Sequence, residues 1–224
     1  MAYILNIETA TTNCSVSLSN KGETVVLKED YNNNYSHAER LHIYIDDVLK
    51  EAKVSLNDLS AIAISKGPGS YTGLRIGVSA AKGLCFALDI PLISIPTLEA
   101  LAHQVSTETG VIVPMLDARR MEVYSAIFDA NHHQIRETEA QILNETSFKE
   151  YLDKRKVTFI GNGVTKTKEL ITHENAIFIE DKLPSANEMT PLAYQKYKKS
   201  DIEDVAYFEP YYLKDFIALK PKSK

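Results

Sequence analysis

The chain has 224 residues, of which 44% are hydrophobic and 25% are charged, and its formal net charge at pH 7 is −5. This length is enough for one large or two modest domains, and no apolar run approaches the roughly 20 residues of a transmembrane helix. The negative net charge argues against a stand-alone nucleic-acid binder, because contacts to phosphates require clustered lysine and arginine.

The N-terminal sequence and the cysteines indicate the cellular compartment of the protein. The opening residues, MAYILNIET, lack the basic and apolar regions of a signal peptide and are predicted to form a strand. Without an export signal, Cys14 and Cys85 are most simply reduced thiols. We therefore expect a cytoplasmic protein that does not associate with a membrane. Only its last segment, residues 214–224, is basic.

The first half of the chain is predicted to contain three strands followed by alternating helices and strands. Apolar runs and alternation predict strands at residues 3–7, 14–19, 24–29, 61–65 and 91–95. Ser36 and Glu39 have the spacing of a capping box, which predicts the start of a helix whose apolar residues recur with a helical period. Further helices are predicted at residues 72–88 and 97–106. The order is βββαβαβα.

The second half repeats this order without notable sequence identity. Strands are predicted at residues 111–116, 122–128, 135–142, 157–160 and 176–179, and helices at 145–152, 164–171 and 185–198. Two such units predict an α/β protein of the actin-like, ribonuclease-H-like class, in which helices cover two mixed sheets.

The domain organisation follows from this repeat. We expect an N-terminal lobe at residues 1–107, a C-terminal lobe at 108–200, and a tail at 201–224 that packs back on the body. Glu8 and Asp117 are expected at equivalent positions, in the first hairpin of each lobe.

A glycine-rich turn, GPGS at residues 67–70, separates a predicted strand from a long predicted helix. Gly67 and Gly69 tolerate positive φ, Ser70 completes the turn, and Thr72 is predicted to cap the helix. A strand, a glycine turn and a helix N-terminus also form a phosphate-binding geometry. Neither GxxxxGK[ST] nor GxGxxG is present, so tight packing is the favoured interpretation and nucleotide binding is the alternative.

The helix after this turn carries a stripe of small residues. Gly73, Gly77 and Ala81 recur at every fourth position and therefore lie on one face. A glycine within a helix costs roughly 1 kcal/mol relative to alanine. The stripe therefore predicts that another backbone comes close to this helix.

The glycine turn belongs to a longer set of motifs. GPGSYTGLRIG is followed by SAAKGL and PTLEALA, and the chain also carries ILNIETATTNCSVSL near its start, SHAERL at residues 36–41 and MLDARRMEVYSAIF at residues 115–128. Together these motifs resemble the signature of the TsaB family, also called YeaZ. The resemblance implies an actin-like fold with two lobes.

The resemblance also implies a function. It implies a non-catalytic partner subunit of the machinery that forms threonylcarbamoyladenosine next to the anticodon of ANN-decoding tRNAs. In that machinery TsaD is the transferase, TsaE is an ATPase, and a separate synthase supplies threonylcarbamoyl-adenylate. We therefore expect pairing with TsaD, contact with TsaE through the complex, a homodimer when the chain is alone, and tRNA binding only through the complex. No cofactor is expected, except for a nucleotide at an interface shared with partners.

The first hairpin turn bears on whether the chain is an ATPase. Actin-like ATPases carry an aspartate followed by glycine and threonine in this turn, whereas here Glu8 precedes a turn without glycine. The hydroxyls of Thr9, Thr11 and Thr12 would bind phosphate or cap the turn. We interpret the turn as a vestigial phosphate site. An autonomous sugar-kinase-like or chaperone-like ATPase and a homodimeric scaffold that works without TsaD are the alternatives.

The sequence gives little support for a metal site or for peptidase activity. His37 and His42 lie about 140° apart round a helix, unlike the i, i+4 histidines of HExxH that bind one zinc ion. HExxH and GxSxG are both absent, and Cys14 and Cys85 fall on a strand and a crowded helix, which are poor places for a reactive thiolate. We expect neither a metal site nor peptidase activity.

The predicted partner surface combines two helices. Those at residues 36–51 and 72–88 are expected to pack together and present one face to TsaD or to a second copy of the chain. The glycine stripe would let a foreign helix approach, and Tyr44 and Ile43 add apolar surface. The predicted interface residues are Leu41, Tyr44, Ile45, Gly73, Gly77, Ala80, Ala81 and Leu84. Packing of the stripe inside its own lobe is the alternative.

Overall fold

The computed structural model describes residues 2–31 and 36–214. The first half contains β1 (Tyr3–Glu8), β2 (Cys14–Asn20), β3 (Glu23–Asp30), α1 (His37–Ala52), a 3-10 helix (Leu56–Asp58), β4 (Leu59–Gly67), α2 (Tyr71–Leu88), β5 (Leu92–Pro96) and α3 (Thr97–Ala102). The second half contains β6 (Val111–Asp117), β7 (Glu122–Asp129), β8 (Gln134–Ile142), α4 (Lys149–Leu152), β9 (Val157–Ile160), α5 (Val164–Leu170), β10 (Ala176–Ile179) and α6 (Ala186–Lys198). The repeated order βββαβαβα is confirmed. Among these helices, none is long and apolar enough to cross a membrane.

Each half builds one five-stranded mixed sheet. The strand orders are β3-β2-β1-β4-β5 and β10-β9-β6-β7-β8, so β1 and β6 are the central strands. β1 pairs antiparallel with β2 and parallel with β4, and β6 pairs antiparallel with β7 and parallel with β9. Glu8 ends β1 and Asp117 ends β6, at equivalent places in the two sheets. The predicted α/β architecture with two mixed sheets is confirmed.

The helices connect the two sheets. α1 and α2 cover one face of the first sheet, where their buried residues join one core cluster with β1, β2 and β4. α6 follows the second sheet in sequence but packs against the first, with Met189 and Ala193 in a cluster with Ile4 and Ile93. α3 contacts β6 and β7 of the second sheet. The predicted division into lobes therefore stays a prediction, because α3 of the first half contacts the second sheet and α6 of the second half packs on the first sheet.

Ser36 is the N-cap of α1, as predicted, but the side-chain capping contacts of α1 and α2 differ from their predictions. The Ser70 hydroxyl accepts a hydrogen bond from the Gly73 N–H at 3.3 Å, so Ser70 is the N-cap of α2. The predicted cap by Thr72 is wrong, because Thr72 already lies within the helix. The predicted capping box of α1 is also wrong, because the Ser36 hydroxyl donates to the Asp30 carboxylate at 3.3 Å instead.

The described part of the tail, residues 201–214, packs on the first half of the chain and ends at Lys214, which pairs with Glu122 of β7 in the second half. Glu203 forms an isolated antiparallel bridge with Leu92 in β5. Phe208 packs against the core cluster beneath α1 and α2. The remainder, residues 215–224, lies outside the described residues together with most of the predicted basic segment.

Candidate functional site

An open cleft of about 530 Å³ lies where the turns of the two halves meet. Its walls are the first hairpin turn, the glycine turn, the turn between β6 and β7, and the last described residues of the tail. Thr11, Thr12 and Ser70 line one side, and Arg119 and Arg120 line the other. Concave sites between packed units are where proteins most often bind small ligands. The cleft is therefore the first candidate site.

The first hairpin turn uses its own backbone donors. Glu8 is fully buried, and one of its carboxylate oxygens accepts a hydrogen bond from the Ala10 N–H at 2.5 Å. The Thr11 hydroxyl accepts from the Asn13 N–H at 3.3 Å, and the Thr11 carbonyl hydrogen-bonds to the His37 ring at 2.7 Å. The N–H groups of Ala10 and Asn13, which could otherwise donate to a phosphate, are thus engaged within the turn.

Burial also changes the protonation of Glu8. Desolvation raises the pKa of Glu8 to about 7, although hydrogen bonds from the Ser65 hydroxyl and from the N–H groups of Ala10 and Thr9 favour the charged form. A carboxyl group without exposed surface, and partly neutral near pH 7, is poorly suited to hold a magnesium-bound phosphate. Glu8 instead stabilises the turn through its hydrogen bond to Ala10.

The residues of the predicted vestigial phosphate turn separate in space. Thr11 and Thr12 line the cleft, and only Thr12 is appreciably exposed. Glu8 and Thr9 are buried behind them and do not line the cleft. The structure therefore brings two of the four residues together with Ser70 of the glycine turn.

The glycine turn packs tightly against its surroundings. Gly67 has a φ of 113°, and a Cβ added there would lie 2.6 Å from the Tyr211 carbonyl oxygen. A Cβ at Gly69 would lie 2.4 Å from the Ala10 carbonyl oxygen, which accepts a hydrogen bond from the Ser70 N–H at 2.7 Å. The predicted positive φ thus occurs at Gly67, whereas Gly69 is needed because the first hairpin turn leaves no room for a side chain.

The small-residue stripe of α2 faces inward. A Cβ at Gly73 would lie 2.2 Å from the Thr9 carbonyl oxygen, and one at Gly77 would lie 2.2 Å from the Thr9 hydroxyl. Ala81 is fully buried in the core. The prediction that this stripe lies open to a foreign helix is wrong, because the backbone that approaches α2 is the first hairpin turn of the same half.

Two predicted interface residues of α1 are also internal. Leu41 is fully buried and Ile45 is nearly so, and both belong to the core cluster of the first half. Tyr44 is half-buried against that cluster, and its hydroxyl accepts a hydrogen bond from Arg40 at 3.2 Å. These three side chains hold α1 on the sheet, so their predicted exposure to a partner is wrong for Leu41 and Ile45.

The outward side of α1 and α2 carries a different set of apolar residues. A shallow groove of about 600 Å³ is lined by His42, Arg75, Ile76, Ser79, Ala80, Gly83 and Leu84. On the same two helices, Ile43 of α1 is 57% exposed and Phe86 of α2 is 85% exposed. Ala80 and Leu84 were predicted as interface residues and do line this groove. Ile76 and Phe86 were missed, although the helical period places Phe86 opposite the buried Gly73–Gly77–Ala81 stripe and Ile76 about 100° away from it.

The described residues offer little to redox, thiol or metal chemistry. Within residues 2–31 and 36–214, no three histidine, cysteine or acidic side chains lie close enough to hold a metal ion. Burial raises the pKa of Cys14 and of Cys85 to about 12, so both thiols are protonated at neutral pH.

Comparison with known proteins identifies the family. The family model described as "TsaD: tRNA N6-adenosine threonylcarbamoyltransferase" matches residues 32–222. A protein of Escherichia coli strain K12 named "tRNA threonylcarbamoyladenosine biosynthesis protein TsaB" is 33% identical over 227 residues, which cover 97% of this chain and 96% of that protein. The protein of the same name from Bacillus subtilis strain 168 is 32% identical over 171 residues, which cover 75% of this chain and 74% of that protein.

Solved structures agree with this match. YeaZ from Pseudomonas aeruginosa superposes with a TM-score of 0.82 at 27% sequence identity, over 95% of this chain and all of that chain. Another structure, described as an uncharacterized protein with similarity to peptidase YeaZ from the same organism, superposes with a TM-score of 0.84 at 25% identity, over 96% of this chain. The chain therefore belongs to the TsaB (YeaZ) family, within the wider family that the TsaD model describes.

Proposed function

We propose that this protein is a non-catalytic subunit of the machinery that forms threonylcarbamoyladenosine in ANN-decoding tRNAs, and that it works by pairing with a TsaD transferase. The observation that carries the proposal is the 33% identity to Escherichia coli TsaB over 97% of this chain and 96% of that protein. A match of this extent spans both sheets and the tail. TsaE and tRNA are then reached through the complex, in the cytoplasm, and a second copy replaces TsaD when the chain is alone.

The geometry of the two strand-end carboxylates supports a non-catalytic role. Glu8 is buried and accepts from a backbone N–H of its own turn. Asp117 pairs with Lys166 at 2.6 Å and accepts from the Arg119 N–H at 2.7 Å. In each half, the carboxylate at the end of the central strand is therefore engaged in holding a turn. This arrangement favours a partner subunit over the alternative, an autonomous ATPase.

The surface that we assign to TsaD is the outer helix face, defined as Ile43 of α1 with Ile76, Ala80, Leu84 and Phe86 of α2. Ile43 and Phe86 are largely exposed, whereas Ile76, Ala80 and Leu84 are half-buried along the groove. Exposed apolar side chains on helices that already bury their other side are typical of a protein interaction site. A specific interface of standard size buries roughly 1,600 Å² in total, which this face and its polar surroundings would supply. Any bound nucleotide would belong to an interface shared with the partner.

The substitution Ile43→Asp tests this assignment. The matched control is Ile142→Asp, because Ile142 is 71% exposed and lies on β8 of the second sheet. Both variants should stay folded, since surface substitutions usually change stability by less than about 0.5 kcal/mol. An uncompensated charge buried in the interface costs about 2–5 kcal/mol, so Ile43→Asp should weaken TsaD binding at least about 30-fold in calorimetry.

Two outcomes distinguish a failure of the assigned surface from a failure of the proposed function. Equal TsaD binding by Ile43→Asp and Ile142→Asp would contradict the assignment of the outer helix face. A wild-type chain that does not bind TsaD at all would contradict the proposed function itself.

A further inference from the structure

The turn between β6 and β7 presents two arginines to the cleft. Arg119 and Arg120 are both exposed and line its wall. The arginine ion pairs of residues 2–31 and 36–214 involve Arg40 and Arg136, and neither Arg119 nor Arg120. The turn is therefore a local concentration of positive charge on a chain whose net charge is −5.

The nearby carboxylates do not neutralise these arginines. Asp117 is paired with Lys166 at 2.6 Å, and Glu122 is paired with Lys214. Each acidic side chain of the cleft wall thus has its own lysine partner, and the two guanidinium groups remain in excess. An anionic ligand would supply the missing partner.

The backbone of this turn is not one that arginine favours. Arg119 has a φ of 68° and Arg120 a φ of 51°, in the left-handed region where glycine and asparagine are enriched. The Lys166 amine fixes the turn by donating to the carbonyls of Arg120 and Glu122 at 2.9 and 2.6 Å. Residues that break a local rule of stability are expected at functional sites, so arginines at these positions are candidate binding residues.

Aromatic rings lie at the same mouth of the cleft. Tyr71, Tyr124, Tyr211 and Tyr212 all line it. Tyr212 is 36% exposed, and its ring centre is 4.9 Å from that of Tyr71, over which the Arg75 guanidinium lies at 5.4 Å. Cations interleaved with aromatic rings are the arrangement by which proteins bind single-stranded nucleic acid.

We propose that this mouth is an RNA-binding surface, where Arg119 and Arg120 contact phosphates and Tyr212 offers its ring to an unpaired base. The inference rests on the proposed function and deepens it by naming where this subunit contacts tRNA.

A free nucleotide fits this cleft less well than an RNA strand. The Ala10 N–H donates to Glu8 and the Ser70 N–H donates to the Ala10 carbonyl, so each of the two turns uses a backbone donor for its own packing. The two arginines lie on the opposite wall and reach phosphates that pass along the rim. Because only a few phosphates are contacted, the surface adds affinity within the complex and gives the isolated chain weak binding.

The double variant Arg119→Asn/Arg120→Asn tests the inference. Asparagine tolerates the left-handed backbone, so the melting temperature should not fall. The matched control is Lys154→Asn/Arg155→Asn, which removes two exposed positive charges next to α4 of the second half. The probe is a fluorescently labelled tRNA that decodes ANN codons, titrated with the complex of chain and TsaD at several salt concentrations.

The expected result is specific to the arginine turn. Loss of two phosphate contacts should reduce the slope of log affinity against log salt by roughly 1.4–1.8 and weaken binding roughly ten-fold at physiological salt. The control double variant should keep the wild-type slope. An unchanged slope in Arg119→Asn/Arg120→Asn, or an equal loss in the control, would overturn the inference.

The remaining outcomes are also decisive. If the wild-type chain does not pair with TsaD, the proposed function fails. The RNA surface is then tested with the chain alone: tRNA is titrated at low salt with each of the two double variants, and the same difference between them is expected. A result in which Arg119→Asn/Arg120→Asn loses binding of a fluorescent ATP analogue but keeps wild-type tRNA binding would assign the cleft to a free nucleotide and overturn the RNA surface.

Discussion

A methyl group added at Gly73 probes the contact between α2 and the first hairpin turn. In Gly73→Ala the new Cβ would lie 2.2 Å from the Thr9 carbonyl oxygen, so α2 or the turn must move. Overpacking of this kind typically costs about 1–3 kcal/mol. Gly83 lies on the same helix, and a Cβ added there would meet no atom within 4 Å. Gly83→Ala should therefore gain roughly 1 kcal/mol from helix propensity alone.

The two variants should shift the melting temperature in opposite directions. For a chain of this length, 1 kcal/mol corresponds to roughly 2–4 °C. We expect Gly83→Ala to melt about 2–4 °C above the wild type and Gly73→Ala to melt about 2–12 °C below it, as measured by circular dichroism. A Gly73→Ala variant as stable as the wild type that has lost its partner would show that the stripe is open to solvent. That result would refute the inward packing described here.

Two further predictions concern the turns of the first half. The folded pKa of Glu8, about 7, lies above the ordinary value of 4.5, so the folded state holds an extra proton between these pH values and the wild type loses stability as pH rises through them. Urea unfolding should therefore show Glu8→Gln about 3 kcal/mol more stable than the wild type at pH 8 and similar to it at pH 4, and a variant that keeps the wild-type pH dependence would contradict this. Ser70→Ala should cost about 1 kcal/mol through loss of the N-cap, whereas Thr72→Ala should cost less than about 0.5 kcal/mol, and equal thermal shifts would count against the assigned cap.

The strands and their order along the chain were predictable because the apolar pattern of the strands is strong. Ile4, Leu5 and Ile7 of β1 are all fully buried, since this strand is central and covered on both faces. The destination of α6 was not predictable in the same way. Its period indicates that Met189 and Ala193 face a core, but a local pattern does not say which sheet supplies that core.

The candidate site was likewise only partly predictable, because its contacts join residues that are distant in sequence. The spacing of Gly73 and Gly77 correctly predicted that a backbone approaches α2, but the approaching residue is Thr9, which is distant in sequence. The part of the tail at the cleft was equally hidden, because it is placed by a long-range hydrogen bond from the Tyr211 N–H to the Lys66 carbonyl at 2.7 Å. A sequence pattern such as the glycine spacing indicates that a helix face makes a close contact. Only the folded structure identifies the residue that makes it.

The most direct test of the proposed function is the amount of threonylcarbamoyladenosine in tRNA from cells that lack this chain, measured by mass spectrometry of digested nucleosides. We predict that the modified nucleoside disappears, and that it returns when the wild type or Glu8→Gln is supplied but not when Ile43→Asp is supplied. Full modification without the chain would contradict its role as a required subunit. A folded Glu8→Gln chain that pairs with TsaD but fails to restore modification would contradict the claim that it works without catalysing a step.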